Sequence, residues 1–186
     1  MKNEVIKFGL ILFIITAVST GIVSTIYGIT QPIIETQKIE KDNKARQEIL
    51  SVAKSFEKIE KEFGEDIVEV YKGVDADNNT VGYTIKNISK GYGGDIEITT
   101  GITADGKISG VSLGSMSETP GLGAKSKDPA FIDQYNDKEA KELKVIKNAV
   151  PKDNEIVAIA GATITSNAVT KGVNQSIELF ENELNK

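Results

Sequence analysis

The residues best placed for chemistry are hydroxyls that follow a small-residue turn. In Ala160-Gly161-Ala162-Thr163-Ile164-Thr165-Ser166 an apolar run gives way to a turn and then to hydroxyls that open a helix. Gly161 and Ala162 leave room for a bulky group against the backbone. Thr165 or Ser166 is a natural N-cap. That puts Thr163 just before a helix N-terminus, where free N–H groups and the positive end of the dipole favour an anion such as a phosphate. Many ordinary helices begin in the same way, and these residues alone leave both readings open.

A second segment reads Ser117-Glu118-Thr119-Pro120-Gly121-Leu122-Gly123-Ala124-Lys125. Pro120-Gly121 predicts a tight turn, and the spaced glycines permit positive φ or close approach to a ligand. The segment is too short for a phosphate-binding P-loop and lacks the glycine spacing of a dinucleotide fold. Glu118 has the chemistry of an acid or base, but a lone Glu beside a turn ordinarily faces solvent. In Gly91-Tyr92-Gly93-Gly94-Asp95, Tyr92 is either a stacking partner for an aromatic cofactor or an edge-strand tyrosine.

Composition narrows the chemistry further. The 186 residues include no His and no Cys, which removes most metal sites, the His-activated nucleophiles and thiol redox chemistry. Any redox work must use an acquired cofactor. A net charge of −5 with mixed signs excludes a nucleic-acid footprint.

The elements that must position these segments follow from periodicity. Residues 8–29 carry no charge and are long enough to span a bilayer as a helix. The run is longer than a secretory signal and no small-x-small cleavage site clearly follows it, so an uncleaved anchor is expected, with a removed signal or a buried core helix as the alternatives. Residues 1–7 form its flank. The bases on either side do not decide orientation, although long domains translocate largely regardless of charge. Ile49, Val52, Phe56, Ile59 and Phe63 recur at helical steps and predict a juxtamembrane stalk helix within residues 30–64, with a dimerising coiled coil as the weaker reading. Residues 65–186 then form the folded domain. Alternation in 67–71, around Val81, Tyr83 and Ile85, from Ile96 to Ile102, and over 108–113 predicts a twisted antiparallel sheet with one covered face. Asp105-Gly106 is a hairpin turn. An amphipathic helix is expected over 128–143, a short strand over 155–159, and a final helix with Val169, Val173, Ile177, Phe180 and Leu184 on one stripe. The class is α+β: one N-terminal transmembrane helix, then an antiparallel-sheet domain with flanking helices.

Glu118-Thr119-Pro120-Gly121-Leu122-Gly123 and Gly161-Ala162-Thr163-Ile164-Thr165, behind a single N-terminal span, resemble the FMN-binding domain of the G subunit of Rnf ion-translocating complexes. The C subunit of the sodium-translocating NADH:quinone reductase is similar. The resemblance covers nearly the whole chain. It implies FMN carried covalently on Thr163 through a phosphoester, installed by a separate flavin transferase, with Glu118 to Gly123 lying against the flavin. It also implies electron relay between ferredoxin and NAD, coupled to ion transport, among other membrane subunits in a lipid bilayer, with the domain on the extracytoplasmic side. The family usually has an Asp six residues before the modified Thr, and Val157 occupies that place here. Two other readings remain: a stand-alone anchored flavoprotein, and a non-redox anchored adaptor.

Overall fold

The computed structural model of the chain describes residues 2–147 and 149–185. Met1, Asn148 and Lys186 lie outside the described residues, and with them one end of the expected flank and one end of the expected domain. The chain divides into two compact units, Met1–Asn43 and Lys44–Lys186.

The first unit is helical, formed by the greater part of α1 (Lys2–Ile49). Among the described residues this is the one helix long and apolar enough to cross a membrane, and its apolar window is entirely unburied. The hydroxyls of Thr16, Thr25, Thr30 and Thr36 each donate to the carbonyl four residues back. These four hydroxyls are thereby satisfied within the helix, an arrangement compatible with an apolar surrounding. Pro32 lies inside the helix without ending it.

In the second unit, β1 (Ser55–Lys58), β2 (Ile67–Val74), β3 (Thr80–Lys90), β4 (Asp95–Thr103) and β5 (Ile108–Leu113) form one sheet in sequence order, each pair antiparallel. Alternation sends Val70, Ile85, Ile96, Ile98 and Ile102 into a core closed by α3 (Thr163–Leu179) through Val169, Val173 and Ile177. A π-helical turn prolongs α3, and its Phe180 meets Tyr83 edge-on at 6.1 Å.

The opposite face of the sheet is also covered, where the sequence predicted a single covered face. Gly73 lies opposite Gly82, and Gly101 opposite Gly110. A Cβ at Gly73 would meet Leu50 and Ala53, and one at Gly110 would meet Ile49 at 3.2 Å. The missing side chains make a groove that receives residues 49–53. Beside it the Arg46 guanidinium pairs with Glu69 at 2.9 Å and stacks 3.7 Å from the Tyr71 ring centroid.

This groove corrects the expected stalk helix. α1 stops at Ile49, and residues that continue its helical stripe form a turn and then β1, with Phe56 opposite Gly73. Burying Leu50 and Ala53 completely and pairing 55–58 with the edge of β2 outweigh the local stripe, a case of tertiary contacts overriding propensity. Val52, on the expected stripe, is left exposed.

The expected helix over 128–143 is reduced to α2 (Pro129–Ile132) and one 3-10 turn, Asp133–Tyr135. Phe131 and Tyr135 are buried, so their spacing reports a real apolar face only one turn long. Asp137 then takes φ 63°, and Glu139 bridges to Lys107, turning the chain back towards β5. Two strands of three residues, β6 (Lys144–Ile146) and β7 (Glu155–Val157), pair in parallel. The first of these was not expected, and the second is shorter than the strand expected over 155–159.

Candidate functional site

The start of α3 places the hydroxyls differently from the sequence expectation. Ala162, not Thr165 or Ser166, is the N-cap residue, and no side chain caps the helix. Thr163 is therefore the first helical residue, and the first-turn N–H groups lack intrahelical acceptors by geometry. Gly161 adopts φ 77°, the left-handed conformation that lets the strand turn sharply into the helix. Ser166 straps this turn: its hydroxyl accepts from Ile159 N–H at 3.0 Å and donates to the Ala162 carbonyl at 3.0 Å. Behind it the Tyr135 hydroxyl lies 2.7 Å from Thr170 Oγ1, which in turn donates to the Ser166 carbonyl. Burial pushes the Tyr135 hydroxyl well above its ordinary pKa, and the Thr170 contact opposes this only in part. The phenol is a neutral brace. Upstream, Gln134 holds both backbone groups of Val157, accepting from its N–H at 2.8 Å and donating to its carbonyl at 3.2 Å.

The two threonines of the first turn differ in role. Thr163 is half-buried, whereas Thr165 is 1% exposed and its hydroxyl donates to Glu118 Oε2 at 2.7 Å. Glu118 corrects the solvent-facing expectation: it is 8% exposed. Its Oε1 also accepts from Tyr92 N–H at 2.8 Å and Gly93 N–H at 3.0 Å. The carboxylate thus ties three separate segments together. No local signal announced this, because its partners come from 25, 26 and 47 residues away.

Between these segments lies an open cleft of about 540 Å³, within the roughly 300–1,000 Å³ of small-molecule sites. Glu118, Thr119, Leu122 and Gly123 line one side and residues 161–165 the other, with Tyr92 at the rim. Pro120 and Gly121 sit in the same loop but outside the lining, Gly121 supplying the turn with φ 78°. Tyr92, Leu122 and Ile164 expose 70%, 44% and 56% of their surfaces. Three large apolar side chains around one cleft make a surface that a planar aromatic ring would cover. The helix start at the cleft floor offers N–H groups and a dipole to a phosphate. The residues present therefore fit FMN: Tyr92, Leu122 and Ile164 would offer apolar surface to its ring, and the helix start at Thr163 would offer N–H groups to its phosphate.

Comparison with known proteins places the chain in a family. The chain matches the FMN-binding domain family over residues 91–178 and the RnfG N-terminal region over residues 1–49. The G subunit of the Na(+)-translocating ferredoxin:NAD(+) oxidoreductase complex of Acetobacterium woodii is 42% identical over 193 residues, covering 96% of this chain and 92% of that protein. The G subunit of the proton-translocating ferredoxin:NAD(+) oxidoreductase complex of Clostridium ljungdahlii is 36% identical, over 95% of this chain and 92% of that protein. The solved structure of the C subunit of the Na(+)-translocating NADH-quinone reductase from Parabacteroides distasonis shares the fold, with a TM-score of 0.62 at 23% identity over 81% of this chain and 96% of that one. The resemblance read over nearly the whole chain is thus borne out, and the chain belongs to the family of G subunits of Rnf-type ion-translocating oxidoreductase complexes.

Proposed function

We propose that this chain is a membrane-anchored electron-transfer subunit of an Rnf-type complex, relaying electrons through one FMN joined by a phosphoester to Thr163. The observation that carries the reading is the cleft itself, which brings the half-buried Thr163 and the apolar Tyr92, Leu122 and Ile164 to one place. FMN supplies the redox chemistry that a chain without Cys and His lacks. The protein's part is to hold and orient. Thr163 holds the phosphate, the first-turn N–H groups of α3 neutralise it, and Leu122 and Ile164 exclude water from the ring. The tether keeps the cofactor from dissociating and sets its position relative to neighbouring centres.

The apolar part of α1 is read as the anchor in the lipid bilayer, and the domain as lying on the extracytoplasmic side. Other membrane subunits are its partners in the complex, and a flavin transferase is the partner during maturation. The names of the relatives, all subunits of translocating complexes, support a place in such an assembly over a stand-alone role. The span offers no charged residue for ion transport over 8–29, so translocation belongs to the partners.

The test is coexpression of the full chain with a flavin transferase, followed by intact mass and fluorescence of the denatured protein. The wild type is expected to gain an FMN-sized increment and Thr163→Ala none. An unmodified wild type under these conditions sinks the covalent reading. Covalent fluorescence on Thr163→Ala would move the site, and Thr165 is poorly placed to receive it because its hydroxyl is buried against Glu118.

A further inference from the structure

We propose that Glu118 is the positioning residue of the cleft. One carboxylate holds its three walls in a single geometry before any cofactor arrives, and its charge biases a bound flavin towards the oxidised form. The second half of this proposal rests on the flavin reading; the first does not.

Three observations carry it. The carboxylate is almost fully buried and spends both oxygens on other segments, Oε1 on the amides of Tyr92 and Gly93 and Oε2 on the hydroxyl of Thr165. All three bonds fall between 2.7 and 3.0 Å, and none of these three donors is a cation. The surrounding backbone is shaped to this side chain: a Cβ at Gly91 would collide with Oε1, and one at Gly123 with Oε2 and Thr165 Oγ1. Finally, residues 117–122 lie outside the strands, and 91–94 are the turn between the paired Lys90 and Asp95, so the ladder holds the ends of that turn but bonds neither Tyr92 nor Gly93. Remove the carboxylate and two loops and a helix start lose their common attachment.

The charge has a separate consequence. Hydrogen bonds from two amides and a hydroxyl orient the carboxylate but do not cancel it. A carboxylate in the wall of the cleft opposes the addition of electrons to a ring held there, and partial burial weakens the screening by water. Glu118 therefore does not need to touch the ring to affect it.

Glutamine separates the two roles. In Glu118→Gln the amide oxygen can still accept from Tyr92 and Gly93, and its NH2 can donate to Thr165 Oγ1, so shape survives while charge is lost. Glu118→Ala loses both. The first measurement is hydrogen exchange on the full chain in detergent, without flavin, using the Thr163→Ala background. The peptide containing Tyr92 and Gly93 is expected to exchange at least about tenfold faster in Glu118→Ala and near the parent rate in Glu118→Gln, with peptides of β3 and β4 unchanged. Thr165→Val, which removes one of the three donors and keeps volume, is expected to fall between. Unchanged exchange in Glu118→Ala overturns the positioning role, and so does exchange in Glu118→Gln as fast as in Glu118→Ala.

The second measurement is the flavin midpoint potential in the loaded chain. Glu118→Gln is expected to raise the reduced-to-oxidised ratio at a given potential about tenfold, equal to about 30 mV for a two-electron couple. An unchanged or lowered potential overturns the electrostatic role. A wild type that takes up no flavin defeats the function proposed above, while the exchange result on flavin-free protein still decides the positioning role.

Discussion

Neighbouring strands of the five-stranded sheet satisfy one another's N–H and C=O groups along almost their whole lengths. Between Gly114 and Ala162, among the described residues, strand pairing is confined to β6 and β7, over three residues each. This second region is held by scattered backbone bonds, such as those joining Asp137 and Lys138 to Ile108, and by side chains reaching across to backbone. Glu118 takes two amides, Gln134 both groups of Val157, Asn174 both groups of Leu143, and Lys127 the carbonyl of Gly114. In the sheet the polar side chains do little of this: Thr84, Ser89 and Thr100 bury hydroxyls with no partner among the described residues. A ladder distributes its bonds over many residues, so it tolerates the loss of one. A region pinned by individual side chains has single points of failure, and the cleft is built in that region.

Substitutions can break or sharpen this contrast. The largest expected effect is in the sheet core. Ile98 is completely buried on β4, and Ile98→Ala should cost about 2–5 kcal/mol by the usual cavity and transfer terms. Denaturant unfolding would show this as a lowered midpoint, with the flavin load per folded molecule unchanged. Next comes Gln134→Ala, which strands the N–H and carbonyl of Val157. A loss of about 1–3 kcal/mol should appear together with faster hydrogen exchange confined to residues near 155–162. If its exchange rose uniformly across the sheet, the two regions would not be separable. Asn174→Ala removes two bonds of 2.9 Å to Leu143 but lies farther from the cleft. It should cost about 1 kcal/mol in the same assay and leave flavin attachment intact.

The smallest effect tests an exception inside the sheet region. Asp75 closes the turn between β2 and β3 by accepting from the amides of Asn79 and Asp77 at 2.8 and 2.9 Å. The Asn79 bonds hold its carboxyl below the ordinary value of 3.8. A depressed value means that the contribution is present above the ordinary pKa and is lost as pH falls through the folded one. NMR titration should therefore place Asp75 below 3.8. Asp75→Asn should lower stability slightly at neutral pH, with the difference from wild type vanishing in acid. A difference that persisted in acid would assign the turn's stability to something other than the charge.

The same contrast explains what the sequence made legible. Val70, Ile85 and Ile98 alternate with outward residues because a ladder imposes period two, so the strands could be read directly. Val169, Val173 and Ile177 repeat at helical spacing for the corresponding reason. Phe131, Ile132 and Tyr135 misled because one turn of helix and a much longer helix look alike when only three closely spaced apolar positions are fixed. The stripe from Ile49 to Phe63 misled because the competing partner, a groove of glycines on distant strands, has no side chains to announce it. At the site, Thr163, Leu122 and Gly161 were found through their motifs. The inward turn of Glu118 depends on donors from two other segments, and nothing near residue 118 encodes their arrival.

The strap at Ser166 and the bond from Thr165 to Glu118 have a consequence in time. The sheet's ladder needs no strand beyond Leu113, and its strands pair with sequence neighbours, so its pairing can form early and locally. The cleft needs Tyr92, the loop around Glu118 and Leu122, and the first turn of α3 together, and α3 must be docked on β3 and β4 to bring Thr163 into place. The Thr163 hydroxyl is thus presented in the cleft only by a chain that has already folded. A flavin found on Thr163 would then be a record that folding came first.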